Sequence, residues 1–353
     1  MKVLTKTAMV LVLVGIVISM STVPANAVSE ATCIFLLIEP GSRAGGMGHS
    51  FVSIADDAFA TWWNPGAIAF LDGPEVGLMH SNWLGDVIDD IYYEYLSYLQ
   101  KFEGIGTLGF NITYITYGEL QATDIEGNPV RMFESYEIAI GASYGAKIAR
   151  DLGVGINLKG VISGLAPLIE GAQMTAEGEG YTFVFDAGVL KKNLFTPGLS
   201  LGVNLQNFGP DIRYKNSKNS QPMPLNLRAG LSYKILDSEY SKLIATADIN
   251  KMLVNDDPLW KRWFTSLYDD DFDYEIDSMI ENVGIEYTYY DLISLRFGYV
   301  HDVAGHITEY SFGGGLKYEF SPGKELRFDF ALQPGGEMLE GGKNKTFSLS
   351  LSF

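Results

Sequence analysis

The last nine residues, KTFSLSLSF, put Phe347, Leu349, Leu351 and Phe353 on one side of an extended chain and Ser348, Ser350 and Ser352 on the other. Successive side chains of a strand point to opposite faces, so this spacing makes one greasy and one polar face; a helix would mix them. ELRFDFALQ repeats the pattern, with Leu326, Phe328, Phe330 and Leu332 opposing Arg327, Asp329 and Gln333. LSLGVNLQN sets Leu199, Leu201, Val203 and Leu205 against Ser200, Gly202, Asn204 and Gln206, and DLGVGINLKG sets Leu152, Val154, Ile156 and Leu158 against Gly153, Gly155, Asn157 and Lys159.

This period governs the chain from residue 75 onward, in about fourteen segments: near 75–83, 90–99, 104–118, 134–149, 152–164, 180–191, 198–207, 225–235, 240–250, 281–290, 292–300, 308–319, 325–333 and 345–353. The connections alternate as well. Those after even-numbered segments are short (QKFEG, RD, NLFTP, LDSE, YD, SPGKE), and those after odd-numbered ones are mostly long (Glu119 to Phe133, Leu165 to Gly180, Phe208 to Pro224, Lys251 to Ile280). A soluble sandwich also alternates, but with shorter strands, more charge on its polar faces and no reason for loop lengths to alternate. Strand segments of about ten residues with short turns on one side and long loops on the other specify an all-β fold, a transmembrane antiparallel β-barrel of about 14 strands in an outer membrane. An even count returns the chain to the side where it began. With the short turns in the periplasm, both termini are expected there.

Energy assigns the faces. A charge at the lipid midplane of such a barrel costs roughly 2–4 kcal/mol, so Arg228, Glu286, Arg296, Lys317, Arg327 and Asp329 should face the lumen, and Leu and Phe the lipid. The tyrosine-rich stretches DIYYEYLSY and EYTYY suit interfacial girdles or lumenal packing.

The first 27 residues, with Lys2 and Lys6, an apolar run from Ala8 to Met20 and then Ala25-Asn26-Ala27, form a signal peptide cleaved near Ala27. The run is shorter than the roughly 20 residues of a spanning helix. The whole chain carries a net charge of −18, about −20 once the signal is removed, which excludes a nucleic-acid binder. Cys33 is the single cysteine, so neither a disulfide nor a Cys-based metal site can be built. Preceded by Glu30 and Thr32, it is a poor lipidation site and reads as a buried free thiol.

Residues 28–74, between the signal (1–27) and the barrel (75–353), do not alternate and are too apolar for a linker. A lumen ringed by fourteen strands is wider than side chains alone fill, so this segment is expected to be an N-terminal plug. Within it, WWNPG breaks the preceding element, because Pro65 fixes its own φ and drives Asn64 toward extended geometry.

The segment reads Phe35, Leu36, Ile38, Pro40, Arg43, Ala44, Gly46, Met47, Gly48, then Asp56, Asp57, Ala58, then Trp63, Asn64, Pro65. This block resembles the PorV/PorQ family within the FadL-like group of outer-membrane proteins, and LGVNLQNFGPDIRY and PMPLNLRAGLSY resemble its mid-barrel blocks. Where that family has Asn-Pro-Ala, this chain has Asn64-Pro65-Gly66. The resemblance implies a hatch inside a fourteen-stranded barrel. It implies one of two roles: a type IX secretion-linked conduit or shuttle for exported proteins, or FadL-like uptake of long-chain fatty acids or other hydrophobic compounds. The expected partners are outer-membrane lipids, the outer-membrane assembly machinery, for which the terminal Phe353 resembles the recognition signal, and either type IX components with their cargo proteins or a hydrophobic small molecule.

Arg43, Met47, Trp62, Trp63, Asn64 and Pro65 are the candidate plug or ligand-passage residues; the tryptophans read either as the plug's own core or as the lining of a passage. RAGGMG lacks both the spacing and the strand-to-helix context of a nucleotide loop. In YDDDFDYEID, Asp269, Asp271 and Asp273 take the first, third and fifth places of a calcium loop, but Tyr274 and Ile280 stand where Gly and Glu are needed, so a solvated acidic loop is expected. His49, His80, His301 and His306 come with no Gly-x-Ser-x-Gly elbow or acid partner; no enzyme, cofactor or metal centre is expected.

Overall fold

The computed structural model describes residues 31–83, 85, 90–166, 178–215, 219–255, 257–269, 271–335 and 343–353. The expected signal peptide lies outside them. Fourteen long strands follow residue 74: β1 (Glu75–Asn82), β2 (Tyr92–Phe102), β3 (Gly106–Thr123), β4 (Pro129–Ala149), β5 (Leu152–Ala166), β6 (Gly178–Lys191), β7 (Leu199–Phe208), β8 (Asn226–Asp237), β9 (Ser241–Met252), β10 (Met279–Tyr289), β11 (Ile293–Asp302), β12 (Ile307–Ser321), β13 (Lys324–Pro334) and β14 (Lys343–Ser352). Each pairs antiparallel with its sequence neighbours, and β14 returns to β1 in a register running from Glu75 opposite Ser352 to Ser81 opposite Thr346. The sheet is a closed barrel without edges, which keeps every ladder group paired in lipid.

Leu78, Leu158, Phe183, Ile249, Leu295, Leu316, Phe328 and Phe347 are exposed on the outer wall. Alternating with them, Arg228, Glu286, Arg296 and Asp329 are buried inside, and Lys317 lines the mouth of an internal cleft beside Arg327, as the cost of charge in lipid requires. The tyrosines of β2 divide by parity: Tyr92 and Tyr98 face out, whereas Tyr93 and Tyr95 are buried.

One connection differs from its reading. Most of Glu119 to Phe133 is strand, with Glu119 opposite Glu134 and Ala122 opposite Arg131, so β3 and β4 continue as a hairpin around a turn at 124–128. At 18 and 21 residues they are about twice what a bilayer crossing takes. Past the bilayer both faces meet water, so alternation lapses while pairing persists.

Among the described residues, the segment before β1 holds only short turns of helix: Ile34–Leu37, Ser42–Gly46, Ala60–Trp63 and Ala67–Phe70. It lies within the ring of strands. Ala58 N–H donates to Glu75 on β1, Thr61 meets Tyr95 on β2, Asn64 donates to Val189 O on β6, and Gly48 N–H donates to Ser311 on β12. Its path corrects the expectation for the N-terminal end. Thr32 N–H donates to Pro222 O at 3.0 Å, in the long connection after β7, whereas Phe353 N–H donates to Pro74 O at 3.1 Å among the short turns. An even strand count places the ends of the barrel, but not a segment that runs back through the lumen.

Candidate functional site

A segment with so little regular structure leaves most of its backbone groups without internal partners, and burying them unpaired costs several kcal/mol each. The inner wall supplies the partners. The Asp248 carboxylate on β9 accepts from Phe51 N–H (2.7 Å), Val52 N–H (2.9 Å) and Ser50 Oγ (3.0 Å). Asn282 on β10 donates to Gly48 O (2.7 Å), Arg228 on β8 to His49 O (3.0 Å), and Asn204 on β7 to Trp63 O (3.0 Å). Ser232 donates to Ser53 O and Thr246 to Ser50 O. The small polar face of the strands is therefore a set of complementary donors and acceptors.

Glycines on that face admit the backbone itself. A Cβ on Gly313 would stand 2.9 Å from Gly46 Cα, and one on Gly298 would collide with the backbone of Met47 and Gly48. On the opposite side, a Cβ on Gly145 would lie 2.7 Å from Pro65 O, and Gly153, Gly155 and Gly188 leave no more room beside Asn64, Pro65 and Gly66. The departure to Gly66 falls in this contact.

The candidate residues occupy distinct places. Trp63 is fully buried, donates Nε1–H to Pro40 O (2.8 Å) and packs edge-on against Trp62 (4.8 Å) and Phe51 (5.7 Å). The Arg228 guanidinium sits 4.9 Å above its ring. Both tryptophans therefore belong to the segment's core, with Met47 buried in the same cluster. Asn64 joins segment to wall: Nδ2 donates to Val52 O (2.9 Å) and Val189 O (3.0 Å), while Oδ1 accepts from Gly66 N–H (3.0 Å). Pro65 presses its carbonyl on the wall glycines. Phe353 is half exposed beside Pro74.

Arg43 is the electrostatic centre. It grips Glu286 on β10 with two parallel bonds, Nε to Oε2 at 2.9 Å and Nη2 to Oε1 at 2.8 Å, and its Nη1 faces Asp56 and Asp57. Arg296 binds Glu286 (2.6 Å) and Asp329 (2.7 Å), and Arg327 lies 3.7 Å from Asp57. Three guanidiniums and four carboxylates thus form one network between segment and wall. It opens on a cleft of about 230 Å³ rimmed by Lys242, Asp291 and Lys317, at the short-turn end. Its members on β10, β11 and β13 were legible as inward charges; their link through Arg43 and Glu286 to the segment was not, because the segment shows no period, and the alternation that turns Asp248 inward does not say which amides it meets.

At the long-loop end, Cys33 is buried beside Glu137 of β4, which accepts from Tyr117 OH (2.7 Å) and Ser163 Oγ (2.7 Å). Burial, with the neighbouring Glu137 carboxylate, pushes the thiol up to about 12. Beyond the barrel, Phe272–Asp277 is helical, and Asp269 accepts from Asn255 (2.6 Å). Among the described residues no cluster of three or more His, Cys, Asp or Glu is placed to hold a metal ion.

In comparisons with solved structures, the chain is similar to the Pseudomonas putida toluene transporter TodX (13% identity, TM-score 0.50, 89% of this chain and 98% of that one). It is also similar to the CymD monoaromatic hydrocarbon channel (14%, 0.51, 90% and 98%) and to a deltaS2S3 mutant of TodX, likewise a monoaromatic hydrocarbon channel (14%, 0.53, 88% and 97%). At such identities the likeness is one of fold. No curated protein matches the sequence. The sequence model described as "Type IX secretion system protein PorV" matches residues 21–259, from the end of the signal through the lumenal segment and β1 to β9, and with this closed barrel around it the chain belongs to the PorV family of outer-membrane β-barrel proteins.

Proposed function

We propose that this barrel is a type IX secretion-linked conduit or shuttle, receiving exported proteins at the outer membrane. The match of residues 21–259 to the PorV family carries the reading, because it covers the lumenal segment as well as β1 to β9. On this reading the segment is a plug that closes the lumen to solutes, the outer wall contacts outer-membrane lipid, and the assembly machinery recognises the strand ending in Phe353. The partners are type IX components and cargo proteins.

The likeness to hydrocarbon channels supports the second reading, uptake of a long-chain fatty acid or other hydrophobic compound. The lining of the lumen weighs against it. Trp62, Trp63, Phe51 and Met47 spend their apolar surface on one another, and the cleft below them is lined by Arg43, Asp56, Glu286, Arg296 and Asp329. An apolar solute entering that cleft would strip water from charges without replacing its hydrogen bonds.

A deletion strain scored two ways separates the readings. Periplasmic accumulation of surface proteins bearing type IX C-terminal signals is expected. Normal export combined with failed growth on long-chain fatty acids or hydrocarbons replaces secretion with uptake.

A further inference from the structure

The longest connection, between β9 and β10, carries a helix, Leu259–Thr265, whose burial is inverted. Three polar residues are hidden, Arg262, Thr265 and the following Ser266 at 6%, 7% and 2% exposure, while Lys261 is exposed. Its aromatic residues are in the open: Trp260 is 75% exposed, Phe264 53% and Tyr268 58%, with Trp263 and Leu267 exposed beside them. The rings form a continuous patch, Trp263 to Phe264 at 5.9 Å and Phe264 to Tyr268 at 5.3 Å. Arg262 holds the helix in this attitude by binding Asp211 (2.9 Å) and donating to Asp257 O (3.1 Å). Contiguous exposed aromatics on a pinned element mark an interaction surface.

Charge selects the occupant. Residues 256–277 contain eight acids against Lys261 and Arg262. Both bases are in ion pairs, Lys261 with Asp257 and Arg262 with Asp211. Asp269, Asp271 and Asp277 have no basic partner among the described residues. Helices that lie on a lipid surface carry Lys and Arg on their polar face, and a connection with this excess of acids is repelled by lipid phosphates. We propose that this patch is the docking surface for a polypeptide segment in which Lys or Arg alternates with apolar side chains, the apolar groups seating on Trp260, Trp263 and Phe264 and the cations facing Asp269, Asp271 and Asp277. The proposal uses only the outward position of the long connections and stands whichever solute or protein the barrel passes.

The full-length protein in phosphatidylcholine nanodiscs is titrated with a short fluorescent peptide of alternating Lys and Leu, and with its Glu and Leu counterpart. The Lys-Leu peptide should bind and the Glu-Leu peptide should not. The W260A/W263A/F264A variant should weaken binding by about tenfold or more. D269N/D271N/D277N should weaken it about three- to tenfold, with a matching loss at high salt. Binding unaffected by the aromatic variant would mean charge attraction alone and overturns the proposal, as does no binding of the Lys-Leu peptide. If brominated phosphatidylcholine quenches fluorescence that W260F/W263F removes, the helix lies on lipid and the docking surface is refuted. Should the triple aromatic variant fail to form a heat-modifiable barrel, W260A alone, at the most exposed ring of the patch, decides in its place: weakened binding supports the proposal and unchanged binding overturns it.

Discussion

Arg43 of the lumenal segment and Glu286 of β10 are 243 residues apart in sequence and share two parallel hydrogen bonds of 2.8 and 2.9 Å inside the barrel. Both side chains are buried, at 7% and 5% exposure, and each is one of several partners that keep the other charged there: Arg296 also binds Glu286, and Asp56 and Asp57 also face Arg43. R43A or E286A alone should destabilise the seated segment by about 1–3 kcal/mol, because the group left behind keeps its other partners. The double variant should cost less than the sum of the two. Limited proteolysis of the segment in the folded barrel, run as a double-mutant cycle, measures this, and strict additivity would show that the pair does not couple.

Gly298 touches the Met47–Gly48 backbone, while Gly160 has nothing within 4 Å of where a Cβ would stand. G298V should leave a barrel that assembles but a segment that cannot seat, seen as rapid N-terminal proteolysis with normal heat-modifiability. G160A should behave like the parent. Equal protection of the two variants would remove the close-approach argument.

W63A opens a cavity beneath Trp62 and Phe51 and should cost about 3–5 kcal/mol of segment stability. W63F keeps much of the volume, loses the bond to Pro40 O and should cost about 1–2 kcal/mol. If either variant altered solute passage while protease protection stayed unchanged, the tryptophans would be passage residues rather than core.

Deleting residues 28–74 while retaining the signal should raise single-channel conductance and sensitivity to large antibiotics, with the barrel still assembling through Phe353. Unchanged conductance would mean that the segment does not close the pore. Removing Phe353 should lower the assembly yield and leave the conductance of assembled barrels as it was.

Cys33, raised to about 12 by burial and the adjacent Glu137, holds roughly one part in ten thousand as thiolate at pH 8. Raising the pH toward 12 increases that fraction, so maleimide labelling of the folded protein should be slow at pH 8 and quicken with pH, whereas the unfolded chain labels at once. Immediate labelling of folded protein at pH 8 would place the thiol in water.

The strands, their faces and the inward direction of Arg296, Arg327 and Asp329 could be read from residue order alone. Each depends on a period of two and on the cost of charge in lipid, and both act locally at every position. The same reasoning failed for Glu119 to Phe133, where the chain leaves the bilayer and its two faces become equivalent. The lumenal segment has no period, so its residues announced a compact apolar body but not a path. Which wall group meets which segment group, Asp248 with the Phe51 and Val52 amides, Asn64 with Val189 O, Arg43 with Glu286, was decided only when the closed barrel brought distant strands around it. Those pairings satisfy buried hydrogen bonds and charges across more than a hundred residues of sequence, and a constraint of that range has no local signature.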